Sequence, residues 1–157
     1  MDIKSILDEG KHEYVTFFIG KHQFGLDVKT VRDVFKTSKI TSIPKSRGEV
    51  YGVLNLRGKI VTVIDMYNLL SLNLDDKYAN PMYIVVEYKG ESYALQIDKV
   101  GDVMSLLNNS YEDSPRTMTE EWKNLSKGVH KLSDGLLIVL DVDKILSFIE
   151  NKKGNVV

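Results

Sequence analysis

The segment from residue 14 to residue 148 carries one pattern twice. A shift of 69 positions places residues 14–34 over 83–103, and a shift of 76 positions places 52–72 over 128–148 without a gap. The identical pairs include Tyr14/Tyr83, Leu26/Leu95, Asp33/Asp102, Gly52/Gly128, Asp65/Asp141 and Leu70/Leu146. The chain must therefore adopt a fold that two copies of a single unit can build. The second copy has the longer middle segment, within residues 106–127.

Each copy consists of short apolar runs rich in Val, Ile, Phe and Tyr, separated by turn residues. This pattern is typical of many short strands in a barrel or a sandwich. Strands are predicted over 14–19, 23–28, 50–56 and 59–64, with tight turns at Gly20-Lys21 and Arg57-Gly58. Asp65 is predicted to cap a short helix over 66–72, because its carboxylate can accept the free N–H groups of the first turn. Asp141 holds the same position in the second copy.

The pattern also predicts how the chain is divided. Residues 1–12, with Ile3, Ile6 and Leu7 at helical spacing, are predicted to be an N-terminal helix or tail. Residues 13–149 are predicted to be one domain, with a first lobe over about 14–72, a connector over 73–81 and a second lobe over about 82–149. An exchange of strands between the lobes is left open. Residues 150–157 are predicted to be a flexible tail.

Composition excludes several functional classes. The chain has no cysteine, so disulfides, thiolate catalysis and Cys-bound zinc are excluded. Its formal net charge is −1, and acidic and basic residues are scattered through the chain, which argues against general electrostatic binding to nucleic acid or to a membrane. No run reaches the roughly 20 apolar residues that span a bilayer. We expect a cytoplasmic protein without direct membrane insertion.

No catalytic constellation is found in the sequence. The histidines His12, His22 and His130 lack metal-ligand spacing, and neither a phosphate-binding loop nor a nucleophile elbow occurs. We predict no catalytic residue, no metal site and no cofactor, and hence no enzyme. One alternative is a small barrel that binds single-stranded nucleic acid through a basic groove and exposed aromatics. Its aromatics, however, lie in apolar runs that are expected to form the core.

Two features suggest a surface for protein partners. The first is Asn55-Leu56-Arg57-Gly58, where a tight turn presents a guanidinium with five fixed donors. Taken alone, the motif is better explained by an ordinary exposed turn, but the second copy has Ser133-Asp134 there, which favours a function for the arginine. The second feature is a set of valines that could line an apolar groove for a partner helix. Packing of the same valines between the lobes is the alternative.

These residues carry a resemblance to a known family. The stretches GVLNLRGKIVTVID, IDKVGDV and LLIVLDVDKIL, together with the isoleucine-proline loop at 43–44, resemble the CheW family of chemotaxis coupling proteins. The similarity extends from Tyr14 to Phe148. It implies an all-β fold of two small five-stranded β-barrel lobes around a shared hydrophobic core, with short helices at the ends.

The resemblance also implies partners. Such adaptors join the cytoplasmic tip of a methyl-accepting chemoreceptor to the regulatory domain of a CheA-type histidine kinase, which would recruit this chain to the inner face of the membrane. The chain is expected to be a monomer alone and arrayed or ring-forming with its partners. A coupling protein of a related, non-chemotaxis receptor–kinase pathway is the nearest alternative.

By position, the resemblance assigns site residues as follows. The kinase- or receptor-binding surface would comprise Asp33, Gly52, Asn55, Leu56, Arg57 and Gly58. The receptor-helix groove would comprise Val28, Val31, Val34, Val100 and Val103. Asp33 would either pair with Arg57 or face the kinase. Trp122, in the longer segment of the second copy, has no assigned place.

Overall fold

The computed structural model describes residues 10–36, 41–42, 50–72, 80–113 and 118–154. Most of the predicted N-terminal helix, most of the connector at 73–81 and the isoleucine-proline loop lie outside these residues. Within them, Lys11 and His12 belong to the first strand, which differs from the helix or tail predicted over 1–12.

Twelve strands are present in the described residues. In chain order they are β1 Lys11–Ile19, β2 His22–Asp27, β3 Val31–Phe35, β4 Thr41–Ser42, β5 Val50–Leu56, β6 Lys59–Asp65, β7 Met82–Tyr88, β8 Glu91–Ile97, β9 Lys99–Leu107, β10 Tyr111–Glu112, β11 Ser126–Leu132 and β12 Gly135–Leu140. The α-helices are α1 Met66–Leu69, α2 Glu120–Lys123 and α3 Val142–Gly154. The predicted all-β class is confirmed.

The strands form two mixed sheets of six strands each. Sheet A has the order β10-β11-β12-β2-β1-β9, and sheet B has the order β3-β7-β8-β6-β5-β4. The five-stranded lobes that the resemblance implied therefore have six strands in this chain. In each sheet the two edge strands follow one another in sequence, so the sheet must curl until its edges come near each other.

Each sheet takes strands from both halves of the chain. The chain leaves sheet A through a 3₁₀ turn at Val28–Thr30, and it returns to sheet A between Ile97 and Lys99. The division into continuous lobes at 14–72 and 82–149 consequently does not describe the sheets. The first hairpin of each copy lies in one sheet with the later strands of the other copy.

Strand pairing reproduces the sequence repeat residue by residue. Thr62 of β6 pairs with Tyr93 of β8 in parallel. The position 76 residues after Thr62 is Ile138 and the position 69 residues before Tyr93 is Phe24, and these two residues pair in parallel in sheet A. Bulges repeat as well: the irregularity between Val50 and Gly52 recurs between Ser126 and Gly128. A single unit, duplicated and interleaved, accounts for both sheets.

Apolar side chains form one large core between the sheets and a small core inside each. Between the sheets lie residues from both, such as Phe17 and Phe24 of sheet A and Ile84 and Leu95 of sheet B. Inside sheet B, Leu54, Val61, Val63, Tyr83, Val85 and Ala94 are buried, with Phe35 and Leu56 packed against them. Tyr14, Leu137 and Val139 are buried inside sheet A. The predicted shared core is present.

Two of the helices, α1 and α3, begin where the sequence predicts. Asp65 Oδ1 accepts the backbone N–H groups of Tyr67 at 3.0 Å and Asn68 at 3.4 Å, which confirms the N-cap of α1. Asp141 Oδ1 accepts the Lys144 N–H at 3.2 Å at the start of α3. The last helix extends to Gly154, where a tail from residue 150 was predicted. In the described part of the chain, the helices are too short or too polar to cross a membrane.

Candidate protein-binding surfaces

The Asn55-Leu56-Arg57-Gly58 motif forms the turn between β5 and β6. Leu56 pairs with Lys59, so Arg57 and Gly58 are the two turn residues, with φ values of +52° and +84°. Positive φ at both positions defines the turn type that favours Asn-Gly in two-residue hairpins. Asn55 Oδ1 accepts the Gly58 N–H at 2.9 Å, which closes the turn.

Arg57 forms an ion pair with Asp33. Its Nη2 lies 3.1 Å from Asp33 Oδ2, and 79% of the arginine side chain but only 26% of the aspartate side chain is exposed. The other aspartate oxygen, Oδ1, accepts the Val34 N–H at 2.8 Å. The carboxylate is thus held by β3 and orients a guanidinium that remains mostly in solvent. Of the two expectations for Asp33, the pairing with Arg57 is present.

The other predicted residues of this surface are not equally accessible. Asn55 and Gly58 are exposed, and Leu56 is half-buried against the core inside sheet B. Gly52 is buried at a bulge between β4 and β6. It therefore contributes through the strand backbone and is not itself presented to a partner.

The corresponding turn of the second copy has a different backbone. Leu132 pairs with Gly135, which leaves Ser133 and Asp134 as the turn residues, and neither has a positive φ. The arginine position is therefore absent from the second copy together with its turn type. The two turns differ in backbone conformation, so the absence of an arginine from the second copy is weaker evidence that Arg57 has a function.

The groove valines lie on the edge strands β3 and β9. Three of their cross-strand partners belong to the core between the sheets: Val31 pairs with Val86, Val34 with Ile84 and Val100 with Phe17. Val103 pairs with Val15. Val31, Val34 and Val100 are half-buried against that core, whereas Val103 is 61% exposed. Val28 is half-buried in the 3₁₀ turn between the sheets. Three of the five valines therefore border the shared core.

The start of β7 links the two edge strands. The Val100 N–H of β9 donates to Met82 Sδ at 3.4 Å, and the next residue, Tyr83, pairs with Phe35 at the end of β3. The valines of β3 and β9 consequently flank the same side of the molecule. An apolar border with one strongly exposed valine is suited to contact with the side of a helix.

Trp122 is a packing residue, which the sequence did not predict. Its Nε1 donates to the Leu70 carbonyl at 2.9 Å, and its ring meets those of His22 and Phe24 at centroid distances of 5.1 and 5.6 Å. Thr119 caps α2 and accepts the Trp122 N–H at 3.3 Å. The extra segment of the second copy thus attaches α2 to sheet A and to the end of α1. The Thr-x-x-Trp spacing was the available signal.

His130 is a buried side chain with both ring nitrogens hydrogen-bonded. Nε2 lies 3.0 Å from the Tyr14 hydroxyl and Nδ1 lies 2.8 Å from the Ser110 hydroxyl. Burial, followed by the nearby His12, lowers the pKa of His130 below its usual value. Burial, assisted by Tyr111 and Asp27, raises the pKa of Tyr14 to about 12. These groups form a polar centre in sheet A, where sheet B has Leu54.

The fold defines the class of the protein: an all-β domain built from a duplicated unit, with two interleaved sheets around a shared core. Comparison with known proteins specifies the family. The family model of the CheW-like domain matches residues 13–150. The chemotaxis protein CheW of Thermotoga maritima is 31% identical over 153 residues, which are 97% of this chain and 99% of that protein. A probable chemotaxis protein CheW of Rhizobium etli is 23% identical over 93% of this chain and 94% of its own length.

A solved structure agrees with these sequence matches. The scaffolding protein TtCheW from Thermoanaerobacter tengcongensis superimposes with a TM-score of 0.77 and 30% identity, covering 85% of this chain and 86% of that one. The chain belongs to the CheW-like family, and the predicted resemblance is confirmed. It is therefore a member of a family of chemotaxis adaptor, or scaffold, proteins.

Proposed function

We propose that this protein couples the cytoplasmic tip of a chemoreceptor to the regulatory domain of a CheA-type histidine kinase, without catalysis of its own. The observation that carries the proposal is the Asp33–Arg57 pair: the half-buried carboxylate of Asp33 holds the largely exposed guanidinium of Arg57 at the tip of a hairpin. In this proposal the protein acts in the cytoplasm and reaches the inner face of the membrane through its receptor.

The hairpin turn is the proposed kinase contact. A guanidinium presents several N–H donors in a plane, and Asp33 leaves part of them directed to solvent. Exposed Ile60, with 76% of its surface accessible, lies on β6 just beyond the turn. A cationic fork beside an apolar side chain is the composition of an interface centre, where arginine and apolar residues are enriched.

The border of the shared core is the proposed receptor contact. Val31, Val34 and Val100 already pack on core residues, so a helix placed across them would extend an existing apolar surface. Val103 is the most exposed of the set, and its burial under a helix would remove apolar area from water. A helix would satisfy its own backbone groups and would need only apolar side-chain contacts here.

Simultaneous binding would use the Arg57 turn of sheet B for one partner and Val103, on β9 of sheet A, for the other. An interface that buries roughly 600–800 Å² on each partner supports reversible contacts. Such contacts gain strength in an array, because neighbouring complexes raise the effective concentration of each partner. A conformational change at the receptor tip would be transmitted to the kinase through the two interleaved sheets.

A two-partner titration tests this function. The kinase regulatory domain and a soluble receptor signalling hairpin are each titrated against wild type, Arg57→Glu and Val103→Glu. Arg57→Glu is expected to lose the kinase domain and keep the receptor hairpin, and Val103→Glu is expected to show the opposite. If wild type binds neither partner at high micromolar concentration, or if both variants lose both partners while folded, the assignment of the two surfaces is wrong.

A further inference from the structure

The duplication provides an internal comparison for the Trp122 site. In sheet A, the indole packs on His22 and Phe24 of β2 and donates to the carbonyl of Leu70, the residue that follows α1. The shift of 69 places His22 and Phe24 over Glu91 and Tyr93, and the shift of 76 places Leu70 over Leu146. The same shifts relate the strand pairing on which both places are built, so the two places are equivalent in the fold.

At the equivalent place in sheet B there is a recess. A cavity of about 210 Å³ is lined by Glu91, Tyr93 and Leu146, and also by Thr62, Tyr88, Lys89, Ile149 and Glu150. Because α3 continues past Leu146, its second turn forms one wall where α1 has already ended. A cavity of about 150 Å³ accepts a benzene ring, so the space suits a large aromatic side chain.

The lining is more polar than that of the occupied site. At the positions equivalent to Tyr88, Glu91 and Thr62 of the recess, sheet A has Ile19, His22 and Ile138. Lys89 is already held by Glu150, with its Nζ 3.2 Å from both carboxylate oxygens, and Glu91 accepts the Tyr93 hydroxyl at 3.2 Å. The rim therefore carries two carboxylates and one engaged ammonium. Burial, followed by Glu91 and Glu150, raises the pKa of Tyr93, which agrees with a negative local field.

We propose that this recess binds an aromatic anchor side chain of a partner protein, flanked in the partner by a basic residue. The chain's own Trp122 shows the kind of group that the fold accommodates at this place. The acidic rim selects a cation beside the ring. A second copy of this chain does not supply an indole, because its single tryptophan is already packed in its own sheet A. Within this chain, the segment 43–49, which leads to β5 as α2 leads to β11, contains no aromatic residue.

The proposal does not depend on the proposed function. The recess lies between α3 and the β6–β8 region of sheet B, and it shares no residue with the Arg57 turn or the valine border. Failure of one would therefore leave the other unaffected.

Amide shifts in two-dimensional NMR provide the test, with tryptamine as the cationic indole probe and indole-3-acetate as the anionic one. Saturable shifts are expected at Tyr88, Glu91 and Tyr93, with tryptamine binding about thirtyfold more tightly, because the two probes differ by two unit charges and each is worth about fivefold near the rim in water. Thr62→Phe fills the recess and is expected to abolish these shifts. Ser105→Phe, at an exposed position of β9 in sheet A, is the matched control and is expected to leave them unchanged.

A peptide probe distinguishes a protein partner from a free small molecule. The acetylated, amidated peptide Gly-Lys-Trp-Lys-Gly is expected to shift the same amides, and the version with alanine in place of tryptophan is not. The proposal is overturned if tryptamine causes no saturable shift at the recess, if Thr62→Phe leaves binding intact, or if tryptamine binds and the peptide does not. In Trp122→Gly, a second tryptamine site is expected beside His22, which calibrates the assay on the equivalent place.

Discussion

Replacement of Arg57 by asparagine should separate the fold from the binding surface. Arg57 has a φ of +52°, a conformation that costs an ordinary L-residue roughly 1–2 kcal/mol and that asparagine tolerates more readily. Asparagine followed by glycine is also the preferred pair for this turn. The backbone contribution to the change therefore favours the variant.

The ion pair contributes in the opposite direction. Arg57 is 79% exposed, and exposed pairs of this kind typically contribute about 0–1 kcal/mol after solvent screening. The backbone gain equals or exceeds the loss of the ion pair, so Arg57→Asn should leave the free energy of unfolding unchanged or raise it by up to about 2 kcal/mol. Arg57→Glu obtains no backbone relief and places a second carboxylate beside Asp33, so it should be the less stable variant.

Urea unfolding measures this difference. The chain has one tryptophan, and its packing on His22 and Phe24 makes Trp122 fluorescence a reporter of the native state. Arg57→Asn is expected to unfold at the same urea concentration as wild type or a higher one. A loss of more than about 2 kcal/mol in Arg57→Asn would exceed any exposed pair and would show that Arg57 holds the fold.

Two further predictions concern sheet A. In Gly128→Ala, the added Cβ would lie 2.5 Å from the Glu112 carbonyl oxygen, so a loss of about 1–3 kcal/mol is expected in urea unfolding. Gly25→Ala, in the same sheet and also without a left-handed φ, is the control, because its Cβ would meet nothing closer than side-chain atoms at 3.3 Å; an equal cost in both variants would contradict the reasoning. Because the pKa values of His22 and His130 are both lowered by burial, the unfolded chain takes up protons first, and stability should fall as pH decreases below about 6.5 toward the lower folded values. Urea unfolding at pH 7.5 and 5.5 checks this, and equal stability at both values would count against it.

Local features of the fold could be predicted because they depend on neighbouring residues. The turn at Arg57-Gly58 follows from a glycine between two apolar runs, and the caps follow from Asp65 and Asp141 before helical segments. The exchange of strands could not be chosen from the sequence. Both copies have the same apolar pattern, so a first hairpin could pair with the later strands of either copy with equal local support.

Contacts of the candidate surfaces between residues far apart in the sequence could not be predicted either. Asp33 and Arg57 lie on β3 and at the end of β5, which are at the two sides of sheet B, and only the curl of that sheet brings them together. Trp122 has no counterpart in the described part of the first copy. His130 looked like an isolated histidine, because the hydroxyls that it contacts come from Tyr14 and Ser110, 116 and 20 positions away.

Calorimetric titration of the isolated kinase regulatory domain with wild type, Arg57→Asn and Arg57→Glu tests the central claim most directly. We predict saturable one-to-one binding to wild type, with affinity reduced at least about tenfold in both variants, which corresponds to the loss of one charge-assisted hydrogen bond. Because Arg57→Asn keeps or improves the turn, its loss of binding would assign the effect to the guanidinium. Unchanged binding in Arg57→Asn, or no binding by wild type at high micromolar concentration, would contradict the account.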